Sequence, residues 1–313
     1  KLNVNGDIKS STTITSNHTV YIASTDNNLY SFNANGISNT GWPVSLGAEA
    51  TASVAVDANG VAYIGTSNGI FQAIASNGTV EWGYNVGGAV YSSSAISSNK
   101  MLYVVNENGR VYSFNLNFLN PSAIEYSAIY ELGSGVSSSP ALDGLGNIYI
   151  TTNDGSLVKL QDNGDSFSES WRFDTGYDIV SSPVISAQYD IYFGGQDSAI
   201  YAVDSTGQLK WRVEIDEPIQ STGALAEFGT QYDRLFIASL DGFLYSVKME
   251  TGELIWKYNA ESPIVCPILF ENGTVYFGTM DGQVLAISDN EVVPVLAKTA
   301  TVNPVWHTFQ GNN

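Results

Sequence analysis

A tyrosine-centred phrase returns seven times along the 313-residue chain, and its spacing limits the fold more tightly than any single residue limits the chemistry. The central aromatics are Tyr21, Tyr63, Tyr103, Tyr149, Tyr192, Phe236 and Tyr276, set 42, 40, 46, 43, 44 and 40 residues apart. A period of about 40–45 residues is that of four-stranded propeller blades. Each repeat opens on a small-residue run such as Ser92-Ser93-Ser94 or Ser181-Ser182-Pro183. The tyrosine strand comes next, then an Asx-Gly turn such as Asn68-Gly69, Asp154-Gly155 or Asp241-Gly242, whose residues tolerate the positive φ of tight hairpins. A third alternating strand leads to a second Gly turn. The fourth strand then carries Trp42, Trp82, Trp171, Trp211 or Trp256, with Tyr130 expected to substitute in the third repeat.

The size gradient within a repeat has a geometric reason. Blades converge on an axis, so inner strands favour Ser, Ala and Thr, while the widening outer wedge needs large rings to stay close-packed. The expected fold is therefore all-β: a seven-bladed propeller of four-stranded antiparallel blades. The blades are expected at about 10–46, 51–85, 92–132, 137–174, 181–214, 221–259 and 264–288, the last completed by residues 1–4. That N-terminal strand would close the ring and remove its open edges. Residues 1–288 then form a single domain, and 289–313 a non-repeat tail packed on it.

Composition excludes several function classes. Acidic side chains outnumber basic ones 31 to 12, a net charge of −19 that repels phosphate backbones, so no nucleic-acid partner is expected. No apolar run is long enough to span a membrane. The chain opens on Lys1 without a signal-type segment and is expected to be a processed or trimmed form. Cys266, the single cysteine, excludes an intramolecular disulfide and is expected to be a small buried residue of an inner strand. His18 and His307 lie at no recognisable catalytic or metal-ligand spacing, and no nucleophile elbow or P-loop is present. The turn clusters around Asp57, Asp143 and Asp162 lack the spacing of a calcium loop, and the sequons at Asn17, Asn77 and Asn272 read as turn sequence.

The Ser-Ser-Pro inner strands, the Tyr-x-Gly strands (Tyr63-Ile64-Gly65, Tyr192-Phe193-Gly194, Tyr276-Phe277-Gly278) and Thr251-Gly252-Glu253-Leu254-Ile255-Trp256 resemble the PQQ-like (pyrroloquinoline quinone repeat) propeller family. Asp204-Ser205-Thr206-Gly207-Gln208-Leu209-Lys210-Trp211 is similar to that last, tryptophan-docking stretch. The segment Pro304-Val305-Trp306-His307-Thr308-Phe309-Gln310-Gly311-Asn312 looks like one found near the ends of family members. The resemblance implies either a quinoprotein dehydrogenase or a non-catalytic BamB-type scaffold. The adjacent-cysteine disulfide of the enzyme branch cannot form here, no residue matches its catalytic site, and both branches usually count eight blades.

The expected function is therefore a non-catalytic binding scaffold in the periplasm or at the cell surface, monomeric, without cofactor or metal, and engaging a protein partner or a cationic ligand. A quinone-binding redox protein and a carbohydrate-binding surface domain are the alternatives. Candidate binding residues lie in the linkers between each fourth strand and the next inner strand: Asp7, Glu49, Tyr91, Tyr177, Asp178, Asp216, Glu217 and Glu261. Together they would form an acidic mouth over the channel. Phe118, Leu119 and Tyr126, in a long apolar insertion of the third repeat, are the candidate interface loop.

Overall fold

A computed structural model of the chain describes residues 4–117, 123–228 and 232–288. The described residues form seven antiparallel sheets, six of four strands and one of three, each with its strands paired in chain order. The second sheet shows the pattern: Ala55–Val56, Ala62–Gly65, Ile70–Ile74 and Val80–Asn85, with Tyr63 opposite Ala73 and Ala73 opposite Trp82. The same row recurs as Tyr192, Ala202, Trp211 in the fifth sheet and Phe236, Ser246, Trp256 in the sixth. The hairpin turns take positive φ at Gly69, Gly109, Gly155, Gly242 and Gly282, as their Asx-Gly signatures require.

Two compact units divide the chain. Unit 1 runs to Pro140 and takes in Gln161–Ser168; unit 2 comprises Ala141–Leu160 and the residues from Glu169 on. In unit 1 the first and second sheets bury Tyr21, Leu29, Trp42, Val54 and Ile64 between them. The second and third sheets bury Tyr63, Phe71, Trp82, Tyr112 and Phe114. In unit 2 the fifth and sixth sheets enclose Tyr192, Ile200, Trp211, Leu235 and Tyr245.

The inner-strand serines do more than fit a narrow space. In unit 1 they form a ladder from sheet to sheet: Ser11 N donates to Ser53 Oγ (2.9 Å), Ser53 N to Ser93 Oγ (3.0 Å) and Ser93 N to Ser139 Oγ (2.9 Å). Backbone N–H groups that the short inner strands leave unpaired are satisfied in this way. In several repeats a second serine pins the tyrosine strand. Ser181 Oγ donates to Gly194 O and accepts from Gly194 N, and Ser221 does the same with Ala238. Cys266 holds that position in the seventh sheet, its Sγ donating to Gly278 O (3.3 Å) and accepting from Gly278 N (3.1 Å). Burial pushes its thiol pKa up, so it is a serine surrogate and not a reactive thiolate.

The fourth-strand tryptophans dock on the next sheet. Trp42 Nε1 donates to Ser76 O (3.0 Å), Trp171 to Ser205 O (3.0 Å) and Trp211 to Met249 O (2.9 Å). The Thr-Gly of the motif serves the indole: a Cβ at Gly207 or Gly252 would lie 2.8 Å from Trp171 or Trp211 Cδ2. Tyr130 does not replace the missing tryptophan. Ser113, the residue opposite Tyr103, pairs with Ala128, so the Trp position holds a buried alanine and Tyr130 falls two residues further on. Phe167 supplies the missing ring, 6.3 Å from Tyr103, whose hydroxyl donates to Asp162 Oδ2 (3.0 Å). The strand assigned to residues 1–4 and the tail 289–313 rest on positions outside the described residues, apart from Val4, which is in no strand.

Candidate functional site: the acidic linker face

Six linkers are each fastened to the hairpin turn of the sheet they enter. In unit 1, Thr25 N donates to Asp7 O, Ser67 N to Glu49 O and Glu107 N to Ala89 O. In unit 2, Gln196 N donates to Asp178 O, Leu240 N to Pro218 O and Met280 N to Pro263 O. Linkers and hairpin turns therefore share one face within each unit. One residue further on, four of these linkers drive a branched aliphatic side chain into the core: Val90, Ile179, Ile219 and Ile264 are all buried, whereas Ile8, after Asp7, is exposed. At Gly65 and Gly194 the glycine of Tyr-x-Gly makes room for this wedge, since a Cβ at Gly65 would lie 2.3 Å from Val90 Cβ and one at Gly194 2.1 Å from Ile219 Cγ2.

The candidate carboxylates occupy three register positions rather than one. Asp7, Glu49 and Asp178 supply the fastening carbonyl; Glu217 sits one residue earlier, as does Tyr177 in its own linker; Asp216 and Glu261 sit one earlier again. Glu261 adopts φ 62°, the left-handed corner that Gly47, Gly87, Gly133 and Gly176 take in other linkers. All six carboxylates are exposed, as are Tyr91 and Tyr177. Unit 1 carries Asp7, Glu49 and Tyr91, and unit 2 carries Tyr177, Asp178, Asp216, Glu217 and Glu261. Asp216 has a basic neighbour, Lys257 Nζ at 3.7 Å, which itself lies 4.3 Å from the Phe243 ring centroid.

The hairpin-turn acids behave differently, because internal partners consume them. Asp26 Oδ2 accepts from Tyr30 Oη (2.7 Å) and Asp197 Oδ2 from Tyr201 Oη (2.6 Å), while Asp241 accepts from Tyr245. Burial pushes the Asp26 carboxyl up, but hydrogen bonds from Tyr30, Asn5 and Asn28 outweigh it and hold the pKa below the usual range. Glu107 Oε1 accepts from Ala89 N at 3.1 Å. Arg212 completes the fifth-sheet turn, reaching Asp197 (2.8 Å), Glu214 (2.6 Å) and Tyr201 Oη (3.1 Å). Those hydrogen bonds hold its guanidinium above the ordinary arginine range, and burial with the Asp197 bond pushes the Tyr201 phenol up to about 12. Sequence reading misses this Arg212 cluster; the Asp-x-x-x-Tyr spacing at 26/30, 197/201 and 241/245 is its visible signal.

Tyr126 of the candidate interface loop packs in a three-ring cluster, 5.6 Å from Tyr112 and 6.3 Å from Tyr84, and stays 42% exposed. Phe118 and Leu119 lie outside the described residues. Among the described residues no group of three or more His, Cys, Asp or Glu side chains could hold a metal ion, and no helix is long and apolar enough to cross a membrane.

Seven antiparallel sheets with docked tryptophans and fastened linkers define a β-propeller of the PQQ-like class. The family described as outer membrane protein assembly factor BamB matches at residues 37–195 and 196–311, and the chain belongs to it. Among curated relatives, BamB of Burkholderia pseudomallei (strain K96243) is 29% identical over 99 residues, 31% of this chain and 24% of that protein. A Paracoccus denitrificans protein named "Putative dehydrogenase XoxF" is 32% identical over 110 residues, 33% of this chain and 18% of that protein. The matches thus span a quarter or less of the length of either relative. Among solved structures, BamB from Moraxella catarrhalis superposes with TM-score 0.75 at 15% identity, covering 92% of this chain and 85% of that one. The computationally designed Ika8 protein gives 0.73 at 14% identity, covering 89% and 83%. At such identities these two likenesses speak for the fold alone.

Proposed function

We propose that the chain is a non-catalytic scaffold of the bacterial envelope, in the periplasm or at the outer membrane, which binds a protein partner through a basic segment seated on the acidic linkers. The family description, an outer-membrane assembly factor, supports the location and the kind of partner. One contrast carries the site. The hairpin-turn acids Asp26, Asp197 and Asp241 each accept a hydrogen bond from a tyrosine of their own sheet, whereas Asp178, Glu217 and Glu261, with Asp216 held only loosely by Lys257, present exposed carboxylates on the same face of unit 2. Clustered charge of one sign raises the local concentration and on-rate of an opposite charge, and salt screens it over roughly 8 Å at physiological strength.

The test replaces Asp178, Asp216, Glu217 and Glu261 by Asn or Gln and, in a second variant, the exposed acids Glu81, Glu125, Asp165 and Glu250. The probe is an oligolysine peptide, with association measured at several ionic strengths. The linker variant is expected to slow association about tenfold or more at low salt and to flatten its salt dependence, with the second variant near the parent. Equal losses in both variants would reduce the site to a general acidic coat.

A further inference from the structure

Two cations of unit 2 stand in the same register beside the linkers, and the fold grips only one of them. Arg212 opposes Tyr201 in the fifth sheet, and Lys257 opposes Tyr245 in the sixth. The Arg212 guanidinium lies 5.6 Å over the Tyr201 ring and is fixed there by its bonds to Asp197, Glu214 and the Tyr201 hydroxyl. Lys257 Nζ lies 4.3 Å from the Phe243 ring centroid and 5.8 Å from that of Tyr245. Its carboxylate partner, Asp216, stands at 3.7 Å, beyond hydrogen-bonding distance. Water reaches this pair freely: the Lys257 and Asp216 side chains are 40% and 77% exposed, against 5% for Asp197.

The cause lies two residues before each turn acid. Ser239 donates to Asp241 Oδ1, as does Phe243 N at 2.7 Å, and Tyr245 donates to Oδ2, so both oxygens of the sixth-sheet acid are engaged within its own turn and strand. Gly195 stands in the place of Ser239 and has no hydroxyl to give. A Cβ there would lie 2.2 Å from Asp197 Oδ1, so the missing side chain lets this acid settle where it meets Tyr201 and Arg212 together. Lys257 is left with two rings beneath it and one distant carboxylate. An exposed cation on an aromatic face and an exposed ion pair are each weak. The sixth sheet therefore shows a place where an ammonium group is bound without being locked.

We propose that this seat, the Phe243 ring with Asp216 beside it, is the anchoring subsite for a lysine of the partner, and that Lys257 is a resident occupant displaced on binding. The assignment rests on the acidic-linker reading and adds to it the chemistry of one contact and a built-in competitor. Lys257 is tethered to its strand and meets Asp216 only at long range. An incoming ammonium is free to close on that carboxylate to about 2.8 Å, the length of a charge-assisted hydrogen bond.

Oligolysine is the probe, and Lys257→Met, which keeps the apolar stem and removes the ammonium, is the variant. At physiological salt the variant is expected to release the peptide about threefold to fivefold more slowly than the parent, the factor set by vacating an exposed cation–ring contact. Phe243→Leu in the same background is expected to cancel the gain. A change confined to the association rate, equal with and without the ring, would reduce Lys257 to one local charge and overturn the proposal. Parent binding that Lys257→Met leaves unaltered would overturn it alone, whereas no saturable binding by parent or variant would overturn the linker reading along with it. Nuclear magnetic resonance on the parent reads the seat itself. Ring currents should place the Lys257 ε-methylene signals upfield of those of other lysines, and added peptide should return them to the ordinary position. Signals at the ordinary position from the outset, or upfield signals that the peptide does not move, would overturn the proposal as well.

Discussion

Gly194→Ala tests the account of the Tyr-x-Gly motif. The added methyl would sit 2.1 Å from Ile219 Cγ2, 2.4 Å from its Cβ and 2.8 Å from its Cδ1. Rotating the side chain cannot relieve the contact with Cβ, so the linker backbone has to move. That backbone is held on both sides: Ile219 N donates to Gly195 O at 3.1 Å, and Ile219 O accepts from Gln196 Nε2 at 3.2 Å. Overpacking of this kind costs about 1–3 kcal/mol. The sixth sheet shows that the position accepts a methyl when the linker is built for it, since Ala238 lies there with Ile264 and both are fully buried. The cost at Gly194 is thus one of displacing an existing fit. Ile219→Ala alone should cost about 2–5 kcal/mol by leaving a cavity. In the double variant the contacts at 2.1 and 2.8 Å vanish and the one at 2.4 Å remains, so the pair should be less destabilised than the sum of the singles, by about 0.5 kcal/mol or more. Urea unfolding followed by tryptophan fluorescence and far-ultraviolet dichroism supplies the numbers, with coincidence of the two probes as the check on two-state behaviour. A Gly194→Ala change within about 0.5 kcal/mol of neutral, or strict additivity in the double variant, would refute the wedge.

Trp211→Phe removes the donor to Met249 O, but that carbonyl keeps the Tyr192 hydroxyl at 3.1 Å. The loss should therefore stay near 1–2 kcal/mol, against about 3–5 for Trp211→Ala, as read in the same urea titration. Cys266→Ser should change stability by less than about 1 kcal/mol, because serine makes the same pair of bonds to Gly194 and Ala238 elsewhere. Burial first, and neighbouring aspartates second, push the Tyr63, Tyr103 and Tyr149 phenols above their ordinary value, and Tyr201 reaches about 12. A phenol raised in the folded state contributes stability that is complete below the unfolded pKa of about 10 and is lost as pH rises through the folded one. Tyrosinate absorbance of the buried set should therefore rise only above about pH 10, together with loss of the near-ultraviolet dichroism; ionisation of that set at or below about pH 10 with the dichroism intact would contradict the burial.

The fold is legible because periodicity is an additive signal: seven weak copies of Tyr, Asx-Gly and Trp fix strand order where one copy would fix nothing. Sequence reasoning fails where a repeat departs from its own rule. Tyr130 resembles the missing tryptophan because it is the nearest large ring, but strand register decides which residue meets Tyr103, and register depends on pairing partners that composition does not display. The serine runs, read along the chain, suggest sterics alone. Their hydrogen-bond ladder involves groups some forty residues apart, and only folding brings Ser53 to Ser93. The candidate site shows the same division. Exposed linker carboxylates can be picked out from position in the repeat, yet on that criterion the hairpin-turn acids have equal standing. What separates the two sets is a tyrosine hydroxyl reaching back four residues to Asp26, Asp197 or Asp241. An acid that already accepts such a bond at its own turn has less to offer a partner, because taking up a new one forfeits the old. The linker acids forfeit little: Asp7, Glu49 and Asp178 fasten the fold through their main chains, and the side chains of the whole set are exposed. Charge can therefore be altered there at small cost to the scaffold, and that is the physical reason for proposing recognition on the linkers and not on the turns beside them.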